Sequence, residues 1–346
     1  MFKIFGELLA PLPSLRPCKF DRITYSFSQR LVSVCHLRYA ENLRRKTQSG
    51  GARRILDTMT DNLKGSLLMI AAMALFAVED MFIKLAADSL PSGQIVFILG
   101  ACGAPLFFLL AWRRGEAIFI QDALHPAVLA RNLGEMVGTL GFIIALAALP
   151  LALVLAVMQA MPLVVTMGAA LFLGESVGWR RWTAIVVGFC GVLLVIRPGM
   201  EGFDPTALWL VLGVLGMGGR DLVSRRIPAR LGNAQVSAWG LIAVTLLGAL
   251  MMLRGGVTAV AQQNALWLLG GVIFGTVGYL AITTAARTGE VSIVAPFRYV
   301  RLVFAMAIGL VVFAEIPDHY TLIGAAIIVG SGLYAFMRQR AVARAQ

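Results

Sequence analysis

From about Met59 onward, the chain alternates between long apolar stretches and short polar ones. Each apolar stretch is close to the ~20 residues that a tilted helix needs to cross the hydrocarbon core of a bilayer. We predict ten spans, at about 65 to 87, 93 to 112, 126 to 148, 151 to 173, 180 to 197, 206 to 223, 234 to 253, 265 to 286, 291 to 313 and 320 to 337. The stretches are continuously apolar, whereas a lipid-facing strand would alternate with a period of two residues. Because a helix satisfies its own backbone hydrogen bonds, as lipid requires, the pattern predicts an all-α integral membrane protein with ten transmembrane helices.

The composition supports a membrane protein and argues against a nucleic-acid-binding one. Hydrophobic residues make up 59% of the chain and charged residues 14%, against roughly 45–50% and about 25% in soluble domains. A net charge of +12 would suggest nucleic acid in a soluble protein. Here the basic residues lie in tails and short loops between apolar spans, where they orient a membrane protein. We therefore expect a lipid bilayer, and no nucleic acid, as a partner.

The region before Met59 has a different character. It is rich in Arg and Lys and contains no apolar run long enough to cross a bilayer. It lacks the layout of a cleaved secretory signal, although its Arg and Ser content resembles that of an organelle transit peptide. We predict that residues 1–58 are a basic N-terminal extension, which is either disordered or the product of a start codon assigned too far upstream.

Cysteine and histidine residues are few and scattered. The chain has four Cys and three His, and their spacing matches neither a disulfide framework nor a zinc site. The sequence therefore predicts no metal site and no cofactor.

The second half of the chain repeats features of the first half at an offset of about 140 residues. Asp80 and Lys84 recur as Asp221 and Arg225 at an offset of 141, Gly138 and Gly141 as Gly275 and Gly278 at 137, and Glu175 as Glu315 at 140. Internal duplication in an apolar chain is typical of secondary transporters, whose substrate site lies between the repeats near the bilayer midplane. We predict one repeat over 59–200, with helices 1–5, and a second over 201–346, with helices 6–10.

The arginines in the loops predict the orientation of the chain. If ten spans are counted, one side of the membrane receives Arg113, Arg114, Arg180, Arg181, Arg225, Arg226, Arg230, Arg287, Arg338, Arg340 and Arg344. The other side receives Arg197 and Arg254. The positive-inside rule then places both termini in the cytoplasm of a bacterial inner membrane. Because five helices is an odd number, the second repeat enters the membrane upside down relative to the first.

Ionisable residues inside the spans are candidates for function, since a charge at a helix centre costs about 2.5–3.5 kcal/mol on insertion scales. Those with a predicted structural or charge-pair role are Asp80, Lys84, Arg131, Glu135, Arg220 and Asp221. The first four form two pairs with a spacing of four residues, so each pair is expected to neutralise itself along one helix face. Glu79 has no such partner, because Lys84 lies five residues along the helix. We predict Glu79 to be a substrate-facing or titrating carboxylate.

The ninth span carries the most concentrated polar group. Arg298 and Arg301 lie three residues apart and share a helix face, with Tyr299 adjacent and Pro296 just before them. Proline removes a backbone donor and loosens the preceding turn, which exposes carbonyl groups to a ligand or water. The two arginines are predicted to bind a carboxylate, a phosphate or an electron-rich ring. The alternative is that they extend to the membrane surface or pair with Glu79 or Glu135.

The fourth span has a matching interruption. It contains Gln159 and Pro162, and an offset of 140 residues places Gln159 on Tyr299. Proline-interrupted spans in corresponding positions of two repeats are the best sequence pointer to a transporter's binding site. We therefore predict that Gln159 and Tyr299 contact the same substrate from opposite repeats.

Two apolar runs end in a glutamate and lead into a glycine-rich helix that closes each repeat. The first reads Leu-Phe-Leu-Gly-Glu175 and precedes Gly188, and the second reads Val-Val-Phe-Ala-Glu315 and precedes Gly330. This pattern resembles the EamA family of the drug/metabolite transporter superfamily over residues 59–346. The resemblance implies two inverted five-helix repeats around a central cavity. It also implies transport of small organic metabolites rather than enzymatic activity.

A shorter resemblance concerns the substrate. The run Ala-Pro296-Phe-Arg298-Tyr299-Val-Arg301 is similar to the branch that contains bacterial riboflavin and S-adenosylmethionine importers. It implies riboflavin uptake by alternating access, since arginine and tyrosine can stack on a flat heterocycle. S-adenosylmethionine or amino-acid transport is the alternative within this class. The hypotheses from other classes are a membrane-embedded enzyme and a passive assembly or signalling partner; the sequence shows neither paired aspartates for Mg²⁺ nor a His-Glu-x-x-His zinc motif.

Overall fold

The described part of the chain contains ten helices that are long and apolar enough to cross a membrane. The computed structural model describes residues 60–116, 120–175, 177–200, 202–228, 230–288 and 290–345. The helices are α1 (Thr60–Ala87), α2 (Ser92–Arg113), α3 (Pro126–Ala148), α4 (Leu151–Phe172), α5 (Trp179–Ile196), α6 (Pro205–Ser224), α7 (Asn233–Gly255), α8 (Gln262–Thr288), α9 (Ala295–Val312) and α10 (His319–Ala345). Two short helices, Ile120–Ala123 and Val291–Val294, lie in the connections before α3 and α9. Every regular element in these ranges is helical, which confirms the predicted all-α class, whereas the predicted basic extension over 1–58 lies outside the described residues.

The closest helix packing joins the first five helices to the last five. The largest contacts are α2 with α7, α3 with α6, and α5 with α10. Helix α4 also packs against α9, its counterpart in the second half. Since the first half has an odd number of helices, α6 starts at the end of the bundle opposite to the start of α1. The chain is therefore built as two inverted five-helix repeats. We call the end where α1 begins and α10 ends the near end, and the end where α1 ends the far end.

Glycines bring α3 and α6 into backbone contact. A Cβ atom added to Gly134 would lie 2.9 Å from the Arg220 nitrogen, and one added to Gly138 would lie 2.9 Å from the Met217 nitrogen. A Cβ on Gly216 would lie 2.7 Å from the Gly138 Cα atom. Small residues at such positions let membrane helices associate through direct packing. This contact also places the charged residues of α3 beside those of α6.

Two helices are interrupted near their prolines. Helix α4 consists of Leu151–Met158 and Met161–Phe172, with Gln159 and Ala160 in the turn between them and Pro162 at the start of the second piece. Helix α9 begins as a 3₁₀ turn over Ala295–Tyr299, which contains Pro296, and continues as an α-helix over Val300–Val312. A proline lacks the backbone donor that a regular helix needs. The interruptions therefore lie where the prolines predict them.

The glycine contact between α3 and α6 can be tested by substitution. Gly138→Ala should lower the stability of the purified protein by about 1–3 kcal/mol, because the added methyl group overlaps the Met217 backbone and forces the helices apart. Thermal unfolding in detergent measures the effect. Gly330→Ala is the matched control, because no atom lies within 4 Å of a Cβ at that position. Equal destabilisation by both substitutions would contradict a specific contact at Gly138.

Candidate functional site

A central cavity of about 1070 Å³ lies between the two halves of the bundle. Its lining includes side chains from every membrane-length helix except α5. Helices α9 and α10 contribute only their portions toward the near end, from Ala295 to Arg301 and from Gly332 to Gln339. The cavity therefore extends from the middle of the bundle toward the near end.

The five residues predicted to bind substrate all line this cavity. They are Glu79, Gln159, Arg298, Tyr299 and Arg301. The helix-breaking residues Pro162 and Pro296 line it as well. The two interrupted helices thus meet at the same space, which requires the packing of α4 against α9.

Asp80 and Arg301 form a two-pronged ion pair in the cavity wall. Arg301 donates from Nη2 to Asp80 Oδ2 at 2.6 Å and to Oδ1 at 2.8 Å, and from Nε to Oδ2 at 3.1 Å. The Asp80 side chain is almost completely buried. The predicted pairing of Asp80 with Lys84 is therefore wrong. A planar guanidinium from a neighbouring helix satisfies both carboxylate oxygens, whereas a pair along one helix is worth only about 0.2–0.5 kcal/mol.

A second charge network joins α3 to α6. Arg131 pairs with Glu135 at 2.8 Å, which confirms the predicted pair along α3. Glu135 also accepts a hydrogen bond from Arg220 at 2.9 Å, and Arg220 donates to Asp221 at 2.9 Å. The two arginines and two carboxylates cancel each other's charge. All four line the cavity, so they form part of its wall without giving it a net charge.

Three of the predicted substrate-binding groups have no partner. Arg298 and Glu79 take part in no ion pair and no side-chain hydrogen bond within the described ranges. The Nε2 atom of Gln159 is buried and lacks a hydrogen-bond partner. Arg298 is exposed to the cavity, whereas Glu79 and Gln159 are partly buried. Since burying an unpaired polar or charged group is costly, these groups are available to a ligand.

Aromatic side chains supply much of the apolar wall. Phe76, Phe107, Phe142, Tyr279, Tyr299 and Phe336 line the cavity. The guanidinium of Arg301 lies 5.4 Å from the centre of the Phe76 ring, and the Phe107 and Tyr279 rings meet edge to face at 4.5 Å. Ligand sites typically combine apolar walls with a few convergent polar groups. The cavity fits a small organic molecule that has a flat apolar part and polar edges.

The far end carries an ion pair that the sequence reading missed. Lys84 Nζ lies 2.5 Å from Glu315 Oε1 and donates to the Leu149 carbonyl at 2.6 Å, while the Leu151 nitrogen donates to Glu315 Oε2 at 2.7 Å. The exposed fractions of the Lys84 and Glu315 side chains are 11% and 19%. The pair thus ties α1 to both the α3–α4 and the α9–α10 connections.

The near end carries the counterpart of this pair. Arg225 lies 2.8 Å from Glu175, and both side chains are more exposed, at 45% and 38%. Lys84 corresponds to Arg225, and Glu315 to Glu175, through the offset of about 140 residues. In each of these two ion pairs, which we call the anchor pairs, the basic residue comes from one repeat and the acidic residue from the other. The repeated spacing was the available signal, but the partners follow only from the inverted packing.

The same helix ending positions both glutamates. Gly174 and Ala314, which precede them, have positive φ angles of 67° and 52°. The Glu175 nitrogen donates to the Ala169 carbonyl at 3.2 Å, and the Glu315 nitrogen to the Gly309 carbonyl at 2.9 Å. A left-handed residue followed by such a bond is a common way to close a helix. The closing motif of each repeat thus directs its glutamate toward the other repeat.

Comparison with known proteins finds transporters. The model of the EamA-like transporter family matches residues 63–197 and again residues 204–337. A riboflavin transporter of Rhizobium johnstonii is 29% identical over 78% of this chain and 90% of its own length. A pseudopaline exporter of Pseudomonas aeruginosa is 28% identical over 77% and 93%, and an S-adenosylmethionine uptake transporter of Rickettsia prowazekii is 22% identical over 82% and 96%. A solved crystal structure with 19% identity covers 80% of this chain and 98% of its own with a TM-score of 0.57, so it shares the fold.

Removing the charge of Asp80 should lower the stability of the protein more than removing the charge of Arg298. Asp80→Asn should cost about 3–5 kcal/mol, because it leaves the Arg301 guanidinium without its charged partner in the bundle. Arg298→Gln should cost less than about 1 kcal/mol, because no partner is left unpaired. Thermal unfolding of the purified variants measures both effects.

A double variant tests whether Asp80 and Arg301 act as a pair. Asp80→Asn combined with Arg301→Gln should recover much of the stability lost in Asp80→Asn alone, because both charges are gone. Losses that simply add in the double variant would show that the pair does not contribute as described.

Proposed function

Because the chain belongs to the EamA-like transporter family, it is a multi-pass membrane transporter of small organic metabolites, and we propose that the substrate binds in the central cavity. The main support is that Arg298 and Gln159, unpaired polar residues from the two repeats, each lie at a helix interruption and line that cavity. Transporter sites are typically built from interrupted helices at the interface of two repeats. The substrate is contacted directly by Arg298, Gln159 and Glu79, and the Tyr299 ring is available to stack on it. Arg301 remains paired with Asp80 and offers the flat face of its guanidinium group to the substrate.

Riboflavin is the substrate that we propose first. A relative with 29% identity is a riboflavin transporter, and the aromatic lining suits a flat heterocycle. Arginine and tyrosine stack on such rings, while the Gln159 amide and Glu79 carboxylate can meet a polar edge. S-adenosylmethionine and amino acids are the alternatives of the same class, and the first of these has its own relative among the uptake transporters.

The orientation and the repeat bounds are part of this proposal. We place the near end in the cytoplasm of a bacterial inner membrane, since most loop arginines lie at that end. The proposed repeats run over 59–200 and 201–346, and the family matches at 63–197 and 204–337 fall inside them.

We further propose that transport proceeds by alternating access and that the two anchor pairs act as latches. The far-end latch, Lys84 with Glu315, is largely buried and reinforced by two backbone hydrogen bonds. The near-end latch, Arg225 with Glu175, is about half exposed at 45% and 38%, and the cavity reaches Arg225 on its near side. This arrangement corresponds to a state that is closed at the far end. Rocking of one repeat against the other would tighten one latch as it loosens the other.

Uptake of labelled riboflavin tests the proposed substrate. A bacterial strain unable to synthesise riboflavin should take it up when this chain is expressed, and Arg298→Gln should reduce uptake about tenfold or more through loss of one charge-assisted contact. Arg254→Gln is the matched control, because it removes the same charge from the exposed far end of α7. Absence of uptake with the protein present in the membrane would exclude riboflavin, and the same cells then test labelled S-adenosylmethionine and amino acids. No movement of any of these solutes would count against the cavity as a transport site.

Cysteine labelling from each side of the membrane tests the latches. A cysteine at Ile83, which lines the cavity toward its far side, is introduced after the four native cysteines are replaced. Glu315→Gln should increase labelling from the far side several-fold, since it removes the charge that holds that end closed. Glu175→Gln is the matched control and should leave far-side labelling unchanged or lower. Equal changes in both variants would contradict the latch assignment.

A further inference from the structure

The near end of α5 contains a buried arginine whose charge nothing in the described structure balances. The Arg181 side chain is 8% exposed, and its Nε atom is buried without a hydrogen-bond partner. No carboxylate among the described residues lies within 4 Å of its guanidinium, and no hydrogen bond to its other nitrogens occurs there. Those terminal nitrogens are not fully buried, so the tip of the side chain reaches the protein surface. Burial of an unpaired cation is costly, which calls for an anion from outside the chain.

The packing of α5 against α10 places a second arginine at the same level. A Cβ on Gly188 would meet the Ser331 hydroxyl, and one on Gly191 would meet Ile327 and Ile328, so the two helices run side by side in opposite directions. Seven residues from Gly188 toward the near end, α5 reaches Arg181. Seven residues from Ser331, α10 reaches Arg338, which is partly buried and has no ion-pair partner in the described ranges. Two like charges on facing helices repel each other unless an anion lies between them.

The position along the helix matches the membrane surface. Trp179, the first residue of α5, is 70% exposed. The guanidinium of Arg180 lies 5.3 Å from the Trp179 ring centre and is exposed. Tryptophan is enriched where the lipid headgroups meet the hydrocarbon core. Arg181 and Arg338 therefore lie at headgroup depth. Neither residue lines the central cavity, and the proposed substrate-binding groups lie on α1, α4 and α9.

We propose that Arg181 and Arg338, with Arg180 at the rim, form a binding site for the phosphate of an anionic lipid at the near end of the α5–α10 pair. Basic pockets between transmembrane helices on the cytoplasmic side bind acidic headgroups in this way. Guanidinium groups hold phosphate oxygens through paired, charge-assisted hydrogen bonds. The bound headgroup neutralises the Arg181 charge and bridges the last helix of one repeat to the last helix of the other. The site is separate from the substrate cavity and does not depend on which metabolite is carried.

Lipid titration of the purified full chain in detergent tests this site. Added phosphatidylglycerol should raise the melting temperature, whereas phosphatidylcholine, which has no net charge, should have little effect. Arg181→Gln and Arg338→Gln should each weaken the apparent affinity for phosphatidylglycerol about tenfold or more, as expected for loss of a charge-assisted contact. Arg181→Lys, which keeps the positive charge, should retain part of the response. Arg254→Gln at the far end removes the same charge and should leave the response unchanged.

Three outcomes would overturn the proposal. The first is an equal response to both lipids, and the second is an equal loss in Arg338→Gln and Arg254→Gln. The third is stabilisation by inorganic phosphate alone that phosphatidylglycerol does not match. That third result would indicate a site for a free anion. Arg338→Gln keeps the test decisive if Arg181→Gln fails to fold, because Arg338 is only partly buried. The riboflavin measurement plays no part in any of these outcomes.

Discussion

The pairing of charges between the two halves is the constraint on which the rest of the structure depends. A charge at the centre of a membrane helix costs about 2.5–3.5 kcal/mol on insertion scales, so a helix that carries one must meet a helix that carries its opposite. The Asp80–Arg301 pair joins α1 to α9, and the Glu135–Arg220 pair joins α3 to α6. Both contacts cross from one repeat to the other. They hold the two halves together around a cavity. Its wall carries several individual charges, but their sum is close to zero.

The duplication, the inversion and the end pairs are three aspects of one arrangement. A twofold axis in the membrane plane exchanges the repeats and the two ends together. It therefore carries Lys84 onto Arg225 and Glu315 onto Glu175, so the far pair maps onto the near pair. In the proposed alternating-access cycle, this symmetry relates a state closed at one end to a state closed at the other. The two pairs differ in burial, so the described conformation is not symmetric about this axis.

How well a feature could be predicted depends on whether the residues that determine it lie close together in the sequence. The helix spans were predicted to within a few residues because length and hydrophobicity are local, and the Arg131–Glu135 pair because both residues lie on one helix. The Asp80–Lys84 pairing failed because helix packing chose the partners. Arg298 and Arg301 look equivalent in sequence, and only the position of Asp80 separates the paired arginine from the free one. Arg181 was counted among the loop arginines, whereas the structure places it inside α5 with only 8% of its surface exposed.

This division between paired and free charges limits how the proposed substrate can bind in the cavity. A ligand that drew Arg301 away would leave the Asp80 carboxylate buried and bare, which costs more than one contact returns. Arg298 and Glu79 carry no such obligation, so a ligand only replaces the solvent around them. Arg298 also lies in the 3₁₀ turn at Pro296, and Gln159 in the break of α4. The proposed binding groups therefore lie where the helices are interrupted, and in the proposed transport cycle the wall pairs stay intact.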